Sequence, residues 1–397
     1  MMPRVLLIVP TGSYRAADFF AAAEALGVEV AVAAEQPLPL VEPELFLTID
    51  CNDPEGAARS IVELAARTPI DSIIPIDDAG VVIAALASAE LGLPHNPPQA
   101  ARATRDKSLM RRLLDIGEVN QPRSRVVEVA RPDPGDLAFP LVVKPLALAG
   151  SKGVIKVDAP AQLASIVSRV GAIASADVVL LEEFVPGPEV AMEGIVWQGN
   201  LEVLAIFDKP DPLTGPYFEE TIYVTPSRLP RSTQTEITRV TEEAVAALGL
   251  VEGPIHAELR VAGPHDVKVI EVAARSIGGV CGRSLSFGLL ETSLEALILR
   301  HALGRHRSTQ RRGRPTGVMM IPTPTSGVLE GWSGVDEAKD IPGIESVEIA
   351  APIGSAIRMV PEADRYLGFI FAKGSDPAEV ESALRKAHDC LRFEIRG

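Results

Sequence analysis

The sequence predicts an α/β domain followed by two α+β units. Over the first hundred residues, short apolar runs alternate with helical segments, a pattern typical of a doubly wound parallel sheet. Further along, apolar runs linked by turns and interrupted by only two helices favour a largely antiparallel sheet. A chain of 397 residues is too long for one core. We therefore predict an α/β domain at 1–103, an α+β domain at 104–304 and a small α+β domain at 316–397.

The first domain is predicted to contain four strands and three helices in alternation. The strands are RVLLIVP, VEVAVAAE, LFLTID and DSIIPID, and the helices are AADFFAAAEALG, PEGAARSIVELAART and AGVVIAALASAELG. Gly27 suits the residue after a helix end, where φ is often positive. Sites in such sheets form at the carboxyl ends of strands. TGSYR (11–15) and DDAG (77–80) lie there, either as plain turns or as parts of a substrate site.

The later units are predicted from strand-like runs with few helices between them. In the second domain the strands are FPLVVKPL, GVIKV, VVLLEEFV, EVAMEGIVWQGNLEVLAIFD, ETIYVTPS, HAELRVAG and VKVIEVAAR, and the helices are PAQLASIVSRVGAIA and TQTEITRVTEEAVAALG. The basic segment 305–315 reads as a connecting loop. The third unit mixes short strands with helices such as DPAEVESALRKAHDCL.

Composition narrows the functional class. Lys plus Arg number 38 and Asp plus Glu 53, a net charge of −15, which argues against a general binder of nucleic acid or anionic membrane. The three cysteines have no CxxC spacing, so neither a disulfide framework nor a zinc site is expected. The apolar start is too short to span a membrane and reads as a buried strand. We expect a cytoplasmic protein that acts on small molecules.

Two acids, Glu258 and Glu271, are predicted to face each other across a hairpin. A turn at 263–266 gives a register in which opposed residue numbers sum to 529, so 256 also opposes 273. Period two then places His256, Glu258, Arg260, Val269, Glu271 and Ala273 on one face, and Ala257, Leu259, Val261, Ile270 and Val272 on the core face. Directly opposed like charges are destabilising. A divalent cation such as Mg²⁺ would relieve them; the alternative is a solvated acidic face.

Basic residues beside small-residue loops indicate a phosphate site. Lys107 begins a helix, and Lys144 ends an apolar strand that leads into AGSKG (149–153). Backbone N–H groups of such a loop can bind phosphates, although it could equally be a plain hairpin turn. It fits neither the Walker A nor the GxGxxG spacing. The later strand 178–185 could border adenine, and Glu189, after a Pro-Gly-Pro turn, could hold ribose.

Five motifs occur in order along the chain: Asp106-Lys107, VVKP…GSKGV, LLEEFVPGPE, HAEL and VIEVAARSIGG. Through them, the sequence resembles ATP-grasp enzymes over roughly residues 1–300. The resemblance implies an ATP-grasp architecture with a mobile lid at about 123–184. It implies ATP and Mg²⁺, or Mn²⁺, as cofactors, with Glu258 and Glu271 as metal ligands. It also implies nucleotide contacts from Lys107, Lys144, Gly150, Ser151, Lys152, Gly153, Glu182, Glu183, Phe184, Val185, Glu189 and Leu259.

ATP-grasp enzymes mostly activate a carboxylate as an acyl phosphate, which an amine then attacks. EVAARSIGG, SYR and PIDDAG together look closest to the amino-acid ligases of this superfamily. The resemblance implies catalytic roles for Arg275 and Lys144. Substrate contacts are expected from Arg275, Gly278, Gly279, Glu220 and His256, with Lys209 and Tyr223 as further candidates. The expected substrates are a small-molecule carboxylate and amine. Relatives often pair through the first domain, which leaves a homodimer as an option.

Ala273 departs from the family pattern, which usually has Asn at that position. Our hypothesis is that His256, or a water that it holds, fills the space of the Asn amide. The alternative is a histidine packed beside a small residue. Other ATP-grasp activities, resembling biotin carboxylase or phosphoribosylglycinamide synthetase, stay open, as does a non-catalytic nucleotide-binding module. Ala273 is the one feature that favours the module.

Overall fold

The computed structural model describes residues 2–38, 41–305, 312–363 and 365–397. The first domain is a parallel sheet, as predicted. Its strands are β1 (Arg4–Val9), β2 (Glu29–Ala34), β3 (Phe46–Thr48) and β4 (Ser72–Pro75), in the order β3-β2-β1-β4. Its helices are α1 (Ala16–Leu26), α2 (Pro54–Ala65) and α3 (Val81–Leu91). Gly27 follows α1 with φ 63°, which confirms its predicted place at the helix end.

Two short helices lead from this domain to the next. They are α4 (Pro98–Ala103) and α5 (Lys107–Ile116). The Asp106 carboxylate accepts hydrogen bonds from the N–H groups of Ser108 and Leu109, a good cap for the first turn of α5. This cap fixes the helix start and therefore the position of Lys107, the first residue of the helix.

A separate small sheet covers most of the predicted lid. It contains β5 (Ser124–Glu128), β6 (Leu141–Lys144), β7 (Ile155–Val157) and β8 (Val178–Glu183), in the order β5-β8-β6-β7. Helix α6 (Pro160–Ala174) packs on it through its apolar side. Because Lys144 ends β6 and Glu182 lies on the neighbouring β8, the sheet itself brings these two side chains together.

The central unit provides five strands of a larger antiparallel sheet. They are β9 (Glu189–Trp197), β10 (Asn200–Asp208), β11 (Ile222–Thr225), β12 (Glu252–Gly263) and β13 (Asp266–Ala273). Its helices are α7 (Arg231–Leu248), α8 (Arg283–Ser286) and α9 (Leu294–Ala302). A hydrophobic core that includes Val240, Val245, Leu259 and Val272 joins α7 to the strands.

The C-terminal unit continues the same sheet. Its strands are β14 (Thr316–Ile321), β15 (Gly327–Ser333), β16 (Ile344–Ile349), β17 (Ala356–Ile357), β18 (Gly368–Lys373) and β19 (Arg392–Arg396), and its helices are α10 (Val335–Lys339) and α11 (Pro377–Cys390). The order of the eight-stranded sheet is β13-β12-β9-β10-β11-β14-β18-β16. Strands β17-β15-β19 form a separate three-stranded sheet. The β11–β14 pairing therefore joins the C-terminal unit directly to the central unit. Of the predicted loop at 305–315, residues 306–311 lie outside the described residues.

The β12–β13 hairpin confirms the predicted pairings of Glu258 with Glu271 and His256 with Ala273. An irregularity follows Glu258, however, so Leu259 pairs with Val269. Val269 is fully buried in the core, whereas Ile270 is half-buried and lines the cavity. The predicted faces of Val269 and Ile270 were therefore wrong, because one extra residue in a strand reverses the alternation beyond it.

Within the described ranges, no helix has both the length and the apolar character that crossing a bilayer requires.

Candidate active site

A cavity of about 380 Å³ lies where the units of the protein meet. The first domain contributes both turns at its strand ends, with residues 11–14 and Asp77–Asp78. The small sheet contributes residues around Lys144 and 182–185, and the C-terminal unit contributes Met320 and Tyr366. The carboxyl ends of parallel strands are a common place for ligand sites. Every unit of the chain thus provides part of one concave surface.

Most of the predicted site residues line this cavity. They are Lys107, Lys144, Gly150, Ser151, Glu182, Glu183, Phe184, Val185, Glu189, Glu220, His256, Glu258, Glu271, Arg275, Gly278 and Gly279. Lys152 and Gly153 are not among the lining residues. Gly153 forms a turn at φ 73°, and its N–H donates to the Pro361 carbonyl at 2.8 Å.

The prediction for Leu259 is corrected. Its side chain is fully buried in the core with α7, on the face of β12 that points away from the cavity. The bulge after Glu258 instead directs Ile270 of β13 toward the cavity. The hairpin alternation had already placed Leu259 on the core face, so the error lay in the nucleotide contact that the ATP-grasp resemblance implied. The bulge that turns Ile270 is not visible from alternation alone.

The lysine at the end of β6 is anchored by a buried ion pair. Lys144 Nζ lies 2.7 Å from Glu182 Oε2, and Arg111 Nε lies 2.6 Å from Glu182 Oε1. Burial would raise the pKa of Glu182, but the two cations outweigh it and lower that pKa to about 2. Arg111 also donates to the carbonyls of Val269 and Ile270. Sequence reasoning missed Arg111, whose helical position looked unremarkable.

Each acid of the hairpin pair is neutralised by a different lysine. Lys107 Nζ lies 3.1 Å from Glu271 Oε1 and donates to the Leu148 carbonyl at 2.8 Å. Lys209 Nζ lies 3.5 Å from Glu258 Oε1. Two opposed carboxylates on adjacent strands repel each other, and these ammonium groups offset that repulsion.

Three carboxylates converge around Lys209. One oxygen each of Glu189, Glu220 and Glu258 lies within 4.8 Å of the others. Lys209 Nζ is 2.7 Å from Glu189 and also pairs with Glu220. Burial disfavours the lysine charge, but the carboxylates outweigh it and raise the pKa of Lys209. The predicted pair was Glu258 with Glu271, whereas this grouping joins Glu258 to Glu189 and Glu220.

Glu220 stands at the end of this cluster that faces the C-terminal unit. Tyr223 Oη donates to Glu220 Oε2 at 2.7 Å. Burial and the nearby charge of Glu258 raise the pKa of Glu220 to about 7, against the opposing effect of Lys209. Cys281, Met320 and Tyr366 line the same cavity. This end of the cavity therefore combines an acid with apolar and aromatic walls.

Glu189 is held by a second cation besides Lys209. Arg260 Nε lies 2.7 Å from Glu189 Oε2, and the Arg260 guanidinium lies over the rings of Phe184 and Phe218. Arginine suits such a place because it pairs with carboxylates and stacks on aromatic faces. Sequence reasoning assigned Arg260 only to a hairpin face.

His256 is held in place by a fully buried acid, Glu193. Its Nδ1 lies 3.1 Å from Glu193 Oε2, and its Nε2 lies 3.7 Å from Glu258 Oε1. Burial would lower the pKa of His256, but the two acids raise it to about 9. Glu193 also accepts hydrogen bonds from the Ile277 N–H, which ties the loop after Arg275 to β9. Glu193 was missed because it lies inside an apolar strand.

Arg275 reaches the first domain. Its Nη2 lies 2.8 Å from Asp78 Oδ2, and its Nη1 donates to the Ser276 carbonyl at 2.9 Å. Arg105 Nη1 lies 2.8 Å from the other oxygen of Asp78. Burial would raise the pKa of Asp78, but the two guanidinium groups outweigh it and lower that pKa to about 2.

Three family models match successive parts of the chain. An ATP-grasp N-terminal domain matches residues 20–95, an ATP-grasp domain matches 137–284, and an L-amino acid ligase C-terminal domain matches 319–396. The chain belongs to the ATP-grasp superfamily. The third match lies on the C-terminal unit, which contributes Met320 and Tyr366 to the cavity of this ATP-grasp protein.

Relatives of known activity resemble this ATP-grasp protein at moderate identity. The L-amino acid ligase from Bacillus licheniformis has a structure similar at a TM-score of 0.85 and 28% identity, covering 100% of this chain and 99% of that one. Alanine–anticapsin ligase of Bacillus subtilis (strain 168) is 28% identical over 58% of this chain and 53% of its own. Carnosine synthase 1 of Gallus gallus is 26% identical over 82% of this chain and 38% of its own. The chain thus spans about half or less of the length of these two curated relatives.

Proposed function

We propose that this ATP-grasp protein is an ATP-dependent carboxylate–amine ligase. It activates a carboxylate, most simply that of an amino acid, as an acyl phosphate and joins it to an amine, with release of ADP and phosphate. The observation that carries the proposal is the alignment of Lys107, Lys144, the opposed Glu258 and Glu271, and Arg275 along one cavity. The similarity to an L-amino acid ligase, alanine–anticapsin ligase and carnosine synthase supports the proposal.

The donor set fits a hard divalent cation. Carboxylate oxygens are the ligands that Mg²⁺ and Mn²⁺ favour, usually together with phosphate oxygens. Glu258 and Glu271 are the proposed ligands, with Glu189 and Glu220 close to Glu258. A bound Mg²⁺ would neutralise charge on the phosphoryl group. On the protein side, we propose that the ammonium groups of Lys107 and Lys144 bind the nucleotide phosphates.

The reaction needs charge control rather than a covalent nucleophile. A carboxylate oxygen attacks the γ-phosphorus of ATP, and ADP leaves. The amine nitrogen then attacks the acyl carbon, and phosphate departs with the oxygen that came from the carboxylate. Arg275 is proposed to hold that carboxylate and then the oxyanion, because a guanidinium binds two oxygens in fixed geometry. The lid formed by the small sheet is proposed to exclude water from the acyl phosphate.

Substrate binding is proposed at the Glu220 end of the cavity. Glu220 can accept a substrate ammonium group, and Tyr223 orients its carboxylate. Gly278 and Gly279 would let the substrate approach the backbone beside Arg275 closely. A non-catalytic nucleotide-binding module is the weaker alternative, because it assigns no task to Arg275 or to the buried cations and acids around Lys209. We also propose the domain boundaries 1–103, 104–304 and 316–397, and pairing of two copies through the first domain stays a prediction.

The proposed function predicts amino-acid-dependent ATP cleavage. We expect the protein, mixed with Mg·ATP and pooled amino acids, to release ADP and phosphate well above the rate without amino acids. Mass spectrometry of the products should then identify a new amide. Samples without Mg²⁺ or with a nonhydrolysable ATP analogue are the controls. Absence of ADP release with every carboxylate offered would overturn the ligase proposal.

His256→Ala tests the hypothesis for the space opposite Ala273. His256 contacts Glu193 and lies beside Glu258, so its removal frees the proposed metal ligand. We expect metal affinity or turnover to fall by about 10–100-fold, the usual effect of losing a side chain that orients a ligand. A magnesium titration of the rate measures both. His265→Ala, in the exposed hairpin turn, is the matched control, and an unchanged titration for His256→Ala would rule the hypothesis out.

A further inference from the structure

The Asp78 carboxylate connects three parts of the molecule. It follows β4 at the carboxyl end of the first domain's sheet, and its two oxygens pair with two different guanidinium groups. Oδ2 lies 2.8 Å from Arg275 Nη2, and Oδ1 lies 2.8 Å from Arg105 Nη1. The side chains of Asp78 and Arg275 are 14% and 12% exposed. Such a shielded, charge-assisted arrangement holds both guanidinium groups in defined orientations.

Arg275 retains unused hydrogen-bond donors while it is paired with Asp78. Its Nη1 and Nη2 donate to Ser276 and Asp78. Its Nε is buried and has no hydrogen-bond partner among the described residues. A guanidinium carries five N–H donors, so the group can still bind an anionic oxygen at the cavity that it lines. Asp78 and Ser276 therefore each engage one terminal nitrogen, and the guanidinium keeps N–H donors that neither of them uses.

Arg105 links Asp78 to the residues just before the loop that is proposed to bind phosphates. Its Nη2 donates to the Ala147 carbonyl at 3.4 Å. The next residue, Leu148, accepts from Lys107 Nζ through its carbonyl, and both precede the 149–153 loop. The Arg105–Ala147 contact is longer than an ordinary N–H···O hydrogen bond, so a displacement of Asp78 should act mainly on Arg275, with which Asp78 pairs at 2.8 Å.

From this geometry we infer that Asp78 is a positioning residue for Arg275. It aims the guanidinium at the reacting carboxylate, and it makes the productive orientation depend on the first domain. The inference rests on the proposed function, because it assigns Arg275 a carboxylate to hold. Asp77, the neighbouring acid, caps the turn by accepting from the Asp78 N–H at 2.9 Å, so the two acids have different tasks.

Asp78→Asn is the direct test, with steady-state rates measured against both substrates. The amide keeps the size of the side chain but loses the charge that holds Arg275. We expect kcat/KM for the carboxylate substrate to fall by about 10²-fold, the scale for misplacing a reacting group by about 1 Å. The KM for ATP should change by less than about threefold. Combined with Arg275→Lys, the loss should be less than the product of the two separate losses, because both changes remove the same interaction.

Two further variants keep the test decisive. Asp53→Asn, at the cap of α2 in the same domain, should leave both kinetic constants near those of the wild type. Asp78→Glu keeps the charge but shifts it by one methylene, and it should show an intermediate loss confined to the carboxylate substrate. If Asp78→Asn does not fold, Asp78→Glu decides the matter by the same criterion.

Three results would overturn the inference. They are an unchanged kcat/KM for the carboxylate substrate, equal rises in KM for the carboxylate and for ATP together with a lowered Tm, and a loss in the double variant equal to the product of the two separate losses. Wild-type protein that cleaves no ATP with any carboxylate would overturn the proposed function as well. An active wild type with an unaffected Asp78→Asn variant would overturn the Asp78 role alone.

Discussion

Glu271→Ala is expected to abolish amino-acid-dependent ADP release while the fold survives. Glu271 is a proposed ligand of the divalent cation, and metal stabilisation of a transferring phosphoryl group is worth several kcal/mol. At about 1.4 kcal/mol per tenfold change in rate, the loss should be at least about 10³-fold. The side chain is 25% exposed, and its partner Lys107 retains the Leu148 carbonyl, so folding should be little affected. A coupled ADP assay and thermal unfolding measure the two effects separately.

Glu242→Ala is the matched control for this substitution. Glu242 is an exposed acid on α7, remote from the lining of the cavity, and its removal should leave turnover unchanged. Retained turnover in Glu271→Ala at saturating Mg²⁺ would disprove the metal role. Loss of both turnover and folded structure would show that Glu271 stabilises the hairpin instead.

Lys209→Met should cause a large loss of stability. Lys209 is 3% exposed and lies among Glu189, Glu220 and Glu258. Removing one partner of a buried ion pair leaves uncompensated charge and typically costs about 3–5 kcal/mol. The methionine preserves the apolar stem of the side chain, so the effect should report the missing charge. Urea unfolding, followed by circular dichroism, should show a clearly lower midpoint than the wild type.

The control for Lys209→Met is Lys373→Met. Lys373 is 42% exposed and pairs with Glu345, and exposed pairs contribute at most about 1 kcal/mol. Equal midpoints for Lys209→Met and Lys373→Met would contradict the described role of Lys209.

Local patterns were sufficient to predict the hairpin pairing. Turn chemistry at 263–266 and strict alternation predicted that Glu258 faces Glu271 and His256 faces Ala273, and both pairings are present. The bulge after Glu258 was not predictable, because a single extra residue leaves the apolar pattern almost unchanged. That one residue turned Ile270 toward the cavity and Val269 into the core.

Long-range ion pairs were the main features that the sequence did not reveal. Asp78 and Arg275 are far apart in the chain, as are Arg111 and Glu182, and their contacts depend on how whole units pack. Glu193 lies in an apolar strand, where a charged residue reads as a defect until its partner His256 is seen. The domain order and the parallel first sheet were predictable because they follow from the periodicity of long segments.

Transfer of oxygen from the carboxylate to phosphate tests the central claim most directly. Amino acids labelled with ¹⁸O in the carboxyl group would be incubated with the protein and Mg·ATP, and the released phosphate analysed by mass spectrometry. An acyl phosphate intermediate predicts one ¹⁸O atom in each phosphate formed by ligation. Unlabelled phosphate, released at the same rate as the amide product, would contradict the ligase mechanism proposed for this protein.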